Sequence, residues 1–171
     1  MPSLNPRIVV AALSLSAAAF IGIATSESYT GTAIIPTRND RPTVGLGSTF
    51  HEDGSPVRMG ERITPVRAIQ LAGNHVAKEE AKCRASLPGV ALAQVEYDLY
   101  CGDWIYQYGS GAWAASSMKD DLLVGNYWRA CQDLLLYRKA DGYDCSTPGN
   151  KICAGVWTRQ LKRYSACMEV Q

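Results

Sequence analysis

The chain has 171 residues and a formal net charge of +1, with 47% hydrophobic and 19% charged residues, the composition of one globular domain plus a short appendage. That charge balance, without any long Lys/Arg block, excludes an electrostatic nucleic-acid binder. No internal repeat or low-complexity tract points to a solenoid or a disordered chain.

The first element is apolar. No side chain ionises between Arg7 and Glu27. The most apolar part, residues 8–23, mixes Ile8, Val9, Val10, Leu13, Leu15, Phe20, Ile21 and Ile23 with Ala, Ser and Gly. Strongly apolar residues contribute only about −0.3 to −0.6 kcal/mol each to insertion. The stretch also falls a little short of the ~20 residues that cross a bilayer core. It reads as a marginal membrane helix. One alternative is a cleavable signal peptide ending at Ala24-Thr25-Ser26; the other is a segment that stays attached. In both, Arg7 on the inside sends everything after Glu27 across the membrane.

The cysteines agree with export. Six of them, at 83, 101, 131, 145, 153 and 167, show no CxxC spacing, and His51 and His75 are remote in sequence. A zinc site is therefore not expected, and the even count favours disulfides in an oxidising compartment. Cys145 and Cys153 flank a Ser-Thr-Pro-Gly-Asn-Lys turn and look like a local pair. Pairing as a whole stays open, because six cysteines allow fifteen connectivities.

After Glu27, residues 32–59 read as short strands with turns: Ala33–Ile35, a turn at Pro36–Asp40, a return over Thr43–Gly47, and a third strand near Val57–Met59. From Thr64 the pattern becomes helical, with Thr64 as N-cap and Pro65 at the first position, where its missing N–H is harmless. Further helices are expected over 93–106, 115–124, 127–139 and 156–170. The class is α+β: a small antiparallel hairpin lobe beside a larger helical lobe.

Several stretches, in order, resemble the phage-type lysozymes. Glu27 followed by Pro42-Thr43-Val44-Gly45-Leu46-Gly47-Ser48-Thr49 is similar to that family's catalytic Glu, hairpin and T-[IV]-G-x-G-x-T segment. Tyr106-Gln107-Tyr108-Gly109-Ser110-Gly111-Ala112-Trp113 resembles its F-N-x-G-x-G-A-F turn between core helices. Gly155-Val156-Trp157-Thr158-Arg159-Gln160 through Cys167 resembles its C-terminal helix. The weakly apolar segment running directly into Glu27 is similar to the signal-arrest-release endolysins. That resemblance implies a lysozyme-like fold, a leader over residues 1–26 and a catalytic domain over 27–171. The implied activity is a muramidase that needs no cofactor or metal and acts as a monomer on peptidoglycan. It would begin tethered in the host inner membrane and end in the periplasm. It further implies that Cys131 and Cys167 link two helices, which would leave Cys83 with Cys101.

Glycosidic hydrolysis needs an acid for the leaving oxygen and a group that assists water or stabilises the oxocarbenium-like state. The resemblance gives the acid role to Glu27, between an apolar helix and a hairpin, where partial burial favours a protonated acid in general. The second role is less direct. The family spaces Glu, eight residues, Asp, five residues, Thr, but Pro36 stands in the Asp slot here. Asp40 is the acidic residue of the hairpin and is the expected water-activating base, although capping its own turn is the commoner role for such a residue. Thr37, six positions before Thr43, is an outside candidate. Thr43 would orient the water, its ordinary alternative being a β-branched strand residue. Tyr106 is the candidate sugar-stacking aromatic, with core packing as the alternative. Arg159 and Arg163 could meet anionic wall polymer or form a solvated face; His51 and His75 receive no role. Pro36 keeps a rival alive, a non-catalytic exported wall-binding module on the same fold. The cysteines alone would also allow an exported toxin or inhibitor.

Overall fold

The computed structural model describes residues 6–36 and 40–171. The apolar stretch does not form one helix. Ile8–Val9 (β1) pairs antiparallel with Ala91–Leu92 (β4), and a 3-10 turn follows at Val10–Ala12. Residues 13–16 lie outside any helix or strand, with Leu13 and Ser16 extended, and only then does helix α1 run from Ala17 to Ser26, with Ser16 capping it. Among the described residues no helix is long and apolar enough to cross a membrane. Val10 and Leu13 are instead buried in the core of the helical lobe, and Ile23 is also buried.

The hairpin lobe is small. Thr30–Ile34 (β2) pairs with Thr43–Gly45 (β3), and the chain then doubles back so that Val44 and Ser48 exchange backbone bonds. The strand expected at Val57–Met59 does not form. Val57 makes one backbone bond to Thr49 and lies buried beside Ala33 and Val44. Its burial is apolar packing under a loop, which alternation in sequence cannot tell from a strand. Two carboxylates hold that loop in place. Glu61 faces His51 at 2.9 Å and accepts from the Arg58 amide. Glu52 accepts from Arg67 and Asn74 on the first long helix.

That helix, α2 (Pro65–Ser86), starts where Thr64 accepts from the Arg67 amide and Pro65 enters the first turn, as the sequence leads one to expect. The helical lobe continues with α3 (Gln94–Tyr97), which opens into π geometry over Asp98–Trp104 before α4 (Ile105–Ala114). Gly109, at φ +80°, breaks α4, and the freed Ser110 amide donates to Glu79. Helices α5 (Ser117–Leu123) and α6 (Tyr127–Asp133) follow. The fourth expected helix is shorter than the sequence implied: it tightens into a 3-10 turn at Leu134–Leu136 and gives way to a hairpin, Lys139–Ala140 (β5) with Tyr143–Asp144 (β6). Its apolar Leu134 dives into the core while Leu136 is left exposed, which a regular helix face would not allow. Helix α7 (Ala154–Met168) closes the lobe.

The core is aromatic. Trp104 is fully buried, with Tyr108 and Tyr137 at ring-centroid distances of 4.7 and 4.8 Å and Trp113 at 6.0 Å. Offset and edge contacts at such distances are each worth roughly 0.5–1.5 kcal/mol beyond area burial. Disulfides join Cys83 to Cys101, Cys131 to Cys167 and Cys145 to Cys153, the pairing expected above. The first ties α2 to the π segment and the second ties α6 to α7.

Loop length ranks these cross-links. Cys131–Cys167 spans 36 residues and Cys145–Cys153 spans 8. Chain entropy then gives about 4 kcal/mol for the first and about 2.5 kcal/mol for the second. Denaturant unfolding of the two double-alanine variants is expected to show the larger loss for Cys131/Cys167; equal losses would count against the entropic ranking.

Candidate active site

Glu27 follows directly on α1. It is the C-cap residue at φ −95° and ψ 136°, so the chain turns extended there and the carboxylate leaves the helix end. Phe20 and Ala24, on the inner face of α1, pack with Leu46, Ala68 and Ala72 at the junction of the two lobes. The helix therefore delivers a half-buried Glu27 to the mouth between them.

Two glycines shape the opposite wall. Gly45 has φ +67°, and a Cβ there would lie 2.8 Å from both the Ala68 and Ile63 side chains. Only glycine lets β3 settle this close to α2. Gly47 has φ +84°, and a Cβ there would sit 3.7 Å from Glu27 Oε2 and 3.8 Å from the Tyr106 hydroxyl. The G-x-G segment thus brings bare backbone up to the acid.

Between the lobes lies a cleft of about 460 Å³. Glu27 at the end of α1, Gly47, Ser48 and Thr49 after β3, and His75, Tyr106 and Arg159 of the helical lobe line it. The Tyr106 hydroxyl donates to the Leu46 carbonyl at 2.6 Å, so α4 is tied across the cleft to the hairpin lobe. Burial, with a smaller contribution from Glu27, pushes the phenol up to about 12, so it remains a donor at any working pH. His75 meets the Tyr106 ring edge-on at 5.4 Å. Partial desolvation holds its imidazole below the usual value, although the ring still reaches solvent. One turn further along α2, burial opposes ionisation of Glu79, but the bonds from Lys82 and Ser110 outweigh it and keep its pKa low. That carboxylate fixes the glycine break just beyond Tyr106.

The expected site residues divide. Glu27 and Tyr106 come together in the cleft. Thr43 is on β3 opposite Ile34, with its hydroxyl donating to the Arg41 carbonyl at 3.0 Å. Asp40 is exposed at the approach to that strand. Neither is among the described residues lining the cleft. Thr37 lies outside the described residues. Arg159 lines the cleft and donates to Gln107. Arg163 is no solvated side chain: it is buried and donates to Asp103 at 2.6 Å, a partner that helical spacing cannot reveal.

His75, Ser48 and Thr49 were given no role from sequence. His75 had a usable signal, since it stands one turn after the buried Leu71 and two after the buried Ala68, on the inward face of α2. Thr49 closes the T-[IV]-G-x-G-x-T match, and Ser48 had no signal beyond following the G-x-G turn.

Comparison with known proteins fits this geometry. The phage lysozyme family model matches residues 25–163. The endolysin of Salmonella phage P22 is 34% identical over 99 residues, which is 58% of this chain and 66% of that protein, just under two thirds of its length. Among solved structures, the endolysin from Escherichia coli O157:H7 phage FAHEc1 superposes with a TM-score of 0.74 at 23% identity, covering 92% of this chain and 94% of that one. A P22 lysozyme variant superposes with a TM-score of 0.71 at 26% identity, covering 91% and 99%. A match over most of the sequence, on the lysozyme-like α+β architecture these structures share, makes the chain a member of the phage lysozyme family.

Proposed function

We infer that the protein is an endolysin, a muramidase that hydrolyses the β-1,4 bond between N-acetylmuramic acid and N-acetylglucosamine in peptidoglycan. The observation that carries this is Glu27 at the end of α1, lining the inter-lobe cleft against the bare backbone of Gly47 in a chain of this family. A binding module would need no acid held there.

In the reaction, the protonated Glu27 carboxyl donates its proton to the leaving glycosidic oxygen. Charge then develops on the sugar ring, and a water molecule attacks the anomeric carbon. Asp40 is assigned to activate that water and Thr43 to orient it. Support for this pair is the resemblance and the position of both on the hairpin that carries the G-x-G wall. The hydroxyls of Ser48 and Thr49 are the other groups available on the cleft wall. Tyr106 presents an aromatic face to the saccharide, and Arg159 adds positive charge where an anionic substrate would run.

The protein acts in the periplasm as a monomer, reached by a leader over residues 1–26 that first sits in the host inner membrane with Arg7 inside. Catalysis begins when that segment leaves the lipid. Two features support this reading. The stretch lacks ionisable groups, and it is only marginally apolar, which a segment must be if it is to leave a bilayer. In its folded position it still exposes Ile8, Val9 and Ile21. While the segment is in lipid, α1 cannot seat between the lobes, and Glu27 cannot reach the cleft.

Turbidity loss of purified peptidoglycan tests the assignments. Glu27→Gln is expected to cut kcat by about 10²–10⁴-fold, the usual contribution of a positioned general acid. Full activity in that variant would end the enzymatic reading. Asp40→Asn is expected to fall by a comparable factor; unchanged activity would transfer water activation to the hydroxyls of the cleft. A chain lacking residues 1–26 is expected to be inactive on the same substrate, and clearing at the full-length rate would sink the leader's role.

A further inference from the structure

The break in the apolar stretch is held by side chains. Residues 13–16 lie between the 3-10 turn and α1, outside any helix or strand; the Leu13 amide still bonds the Val10 carbonyl and the Ser16 carbonyl still accepts from the Phe20 amide, but the groups between them need other partners. Four side chains supply them. The Leu13 carbonyl accepts from Arg84 Nη1 at 3.2 Å, and the Ser14 carbonyl accepts from Gln94 Nε2 at 2.9 Å. The Leu15 amide donates to Glu80 Oε1 at 2.9 Å, and the Ser16 amide donates to Asp98 Oδ1 at 2.9 Å. These four come as two pairs, Glu80 with Arg84 on α2 and Gln94 with Asp98 at the start of the next helical run, each pair four residues apart and mutually bonded. Spacing of four puts both members of a pair on one helix face. Together they form a seat for an extended strap.

Asp98 does more than satisfy an amide. Its Oδ2 accepts from the Ser16 hydroxyl at 2.6 Å, while that hydroxyl accepts from the Ala19 amide at 3.1 Å as the helix cap. The carboxylate thus fixes both the position and the rotamer of the N-cap. From that cap a single ten-residue helix runs to Ser26, and the next residue is Glu27. A helix is stiff over such a length, so its start and its inner face set where its end lies. Arg7, by contrast, binds the buried Glu96 before the break, and its side-chain hydrogen bonds go to Glu96 and Gln171.

We propose that Asp98 is a positioning residue for Glu27: by clamping the Ser16 cap, with Glu80, Arg84 and Gln94 gripping the strap before it, it sets the placement of α1 and so of the acid at the other end. The inference rests on the muramidase reading for its kinetic arm and extends it to the groups that seat the leader. It also accounts for how one stretch can be continuous in lipid and broken in the enzyme. In a bilayer its backbone groups must bond within a helix, whereas in the folded protein this seat replaces the bonds lost at residues 13–16.

The test uses the full chain, purified in soluble form, with Asp98→Ala, Asp98→Asn and Arg7→Gln beside the wild type. An asparagine still accepts from the Ser16 amide and can bond its hydroxyl, so it is the conservative rescue. Asp98→Ala is expected to lower kcat about 10- to 100-fold with KM within about twofold, the cost of a small misplacement of a reacting group. Asp98→Asn should recover most of kcat, and Arg7→Gln should keep the wild-type value. Hydrogen exchange supplies an arm independent of activity: amides of residues 17–27 should exchange faster in Asp98→Ala while α2 and α7 keep their protection. Unchanged kcat and exchange in Asp98→Ala would overturn the proposal. So would a uniform loss of protection across the lobe without rescue by Asp98→Asn, since that describes general destabilisation. A wild type without activity on peptidoglycan would overturn the muramidase reading, and the exchange arm would still decide the positioning role.

Discussion

Helix α1 joins the two lobes, and the arrangement of the cleft depends on how it is seated. Its inner face, through Phe20 and Ala24, packs with residues from β3 and α2, while its start hangs on Asp98 at the edge of the helical lobe. Remove that seating and the acid has no fixed position, because Glu27 belongs to the end of the helix and to no other element. Apolar burial supplies most of the free energy of such seating, at roughly 25 cal/mol per Å². Direction comes from the polar contacts, since burial alone does not choose the register of a smooth Ala-rich helix.

The same segment thereby carries two incompatible demands. It is apolar enough to resemble a membrane span, yet it must lie against protein with its chain broken at residues 13–16. Its Ala, Ser and Gly residues allow close approach of α1 to its neighbours and, on the proposed membrane-first reading, would weaken any preference for lipid. Gly102 on the π segment lies directly beneath Leu15, where a side chain would collide with the strap. The opening of the helix into π geometry at Asp98–Trp104 puts this glycine and Asp98 next to the strap, a use of the π turn that fits its tendency to occur at functional positions.

The cleft's far wall is built by a different device. Glycines at 45 and 47 take left-handed backbone so that β3 and the following turn approach α2 and Glu27 without side chains in the way. Tyr106 then bridges from α4 to the Leu46 carbonyl and holds the two walls at a set separation. The aromatic cluster around Trp104 and the Cys83–Cys101 and Cys131–Cys167 cross-links keep the helical lobe rigid behind it. With the hairpin tied to the helical lobe, α1 is the element whose seating fixes the position of Glu27.

Local chemistry in the sequence was enough for much of this. Thr64-Pro65 marks a helix start because the cap and the missing N–H act within one turn, and the G-x-G segment marks a close backbone approach because glycine takes left-handed angles without strain and has no Cβ to clash. The α+β class and the local Cys145–Cys153 pair were legible for similar reasons, whereas the other two disulfides were implied only by the family resemblance. The break in the leader was not legible, since hydropathy sums side chains and cannot see that Glu80, Arg84, Gln94 and Asp98, some 65 to 82 residues away, will satisfy the exposed backbone. Nor could spacing show that Arg163 is buried on Asp103, or that the loop around Val57 packs without pairing. What the sequence by itself determined is the caps, glycine turns and most of the helices, together with the placement of an acid at the end of an apolar helix. What only the tertiary structure decided is which distant polar groups meet, because those contacts depend on how whole elements pack and leave no trace at short range along the chain.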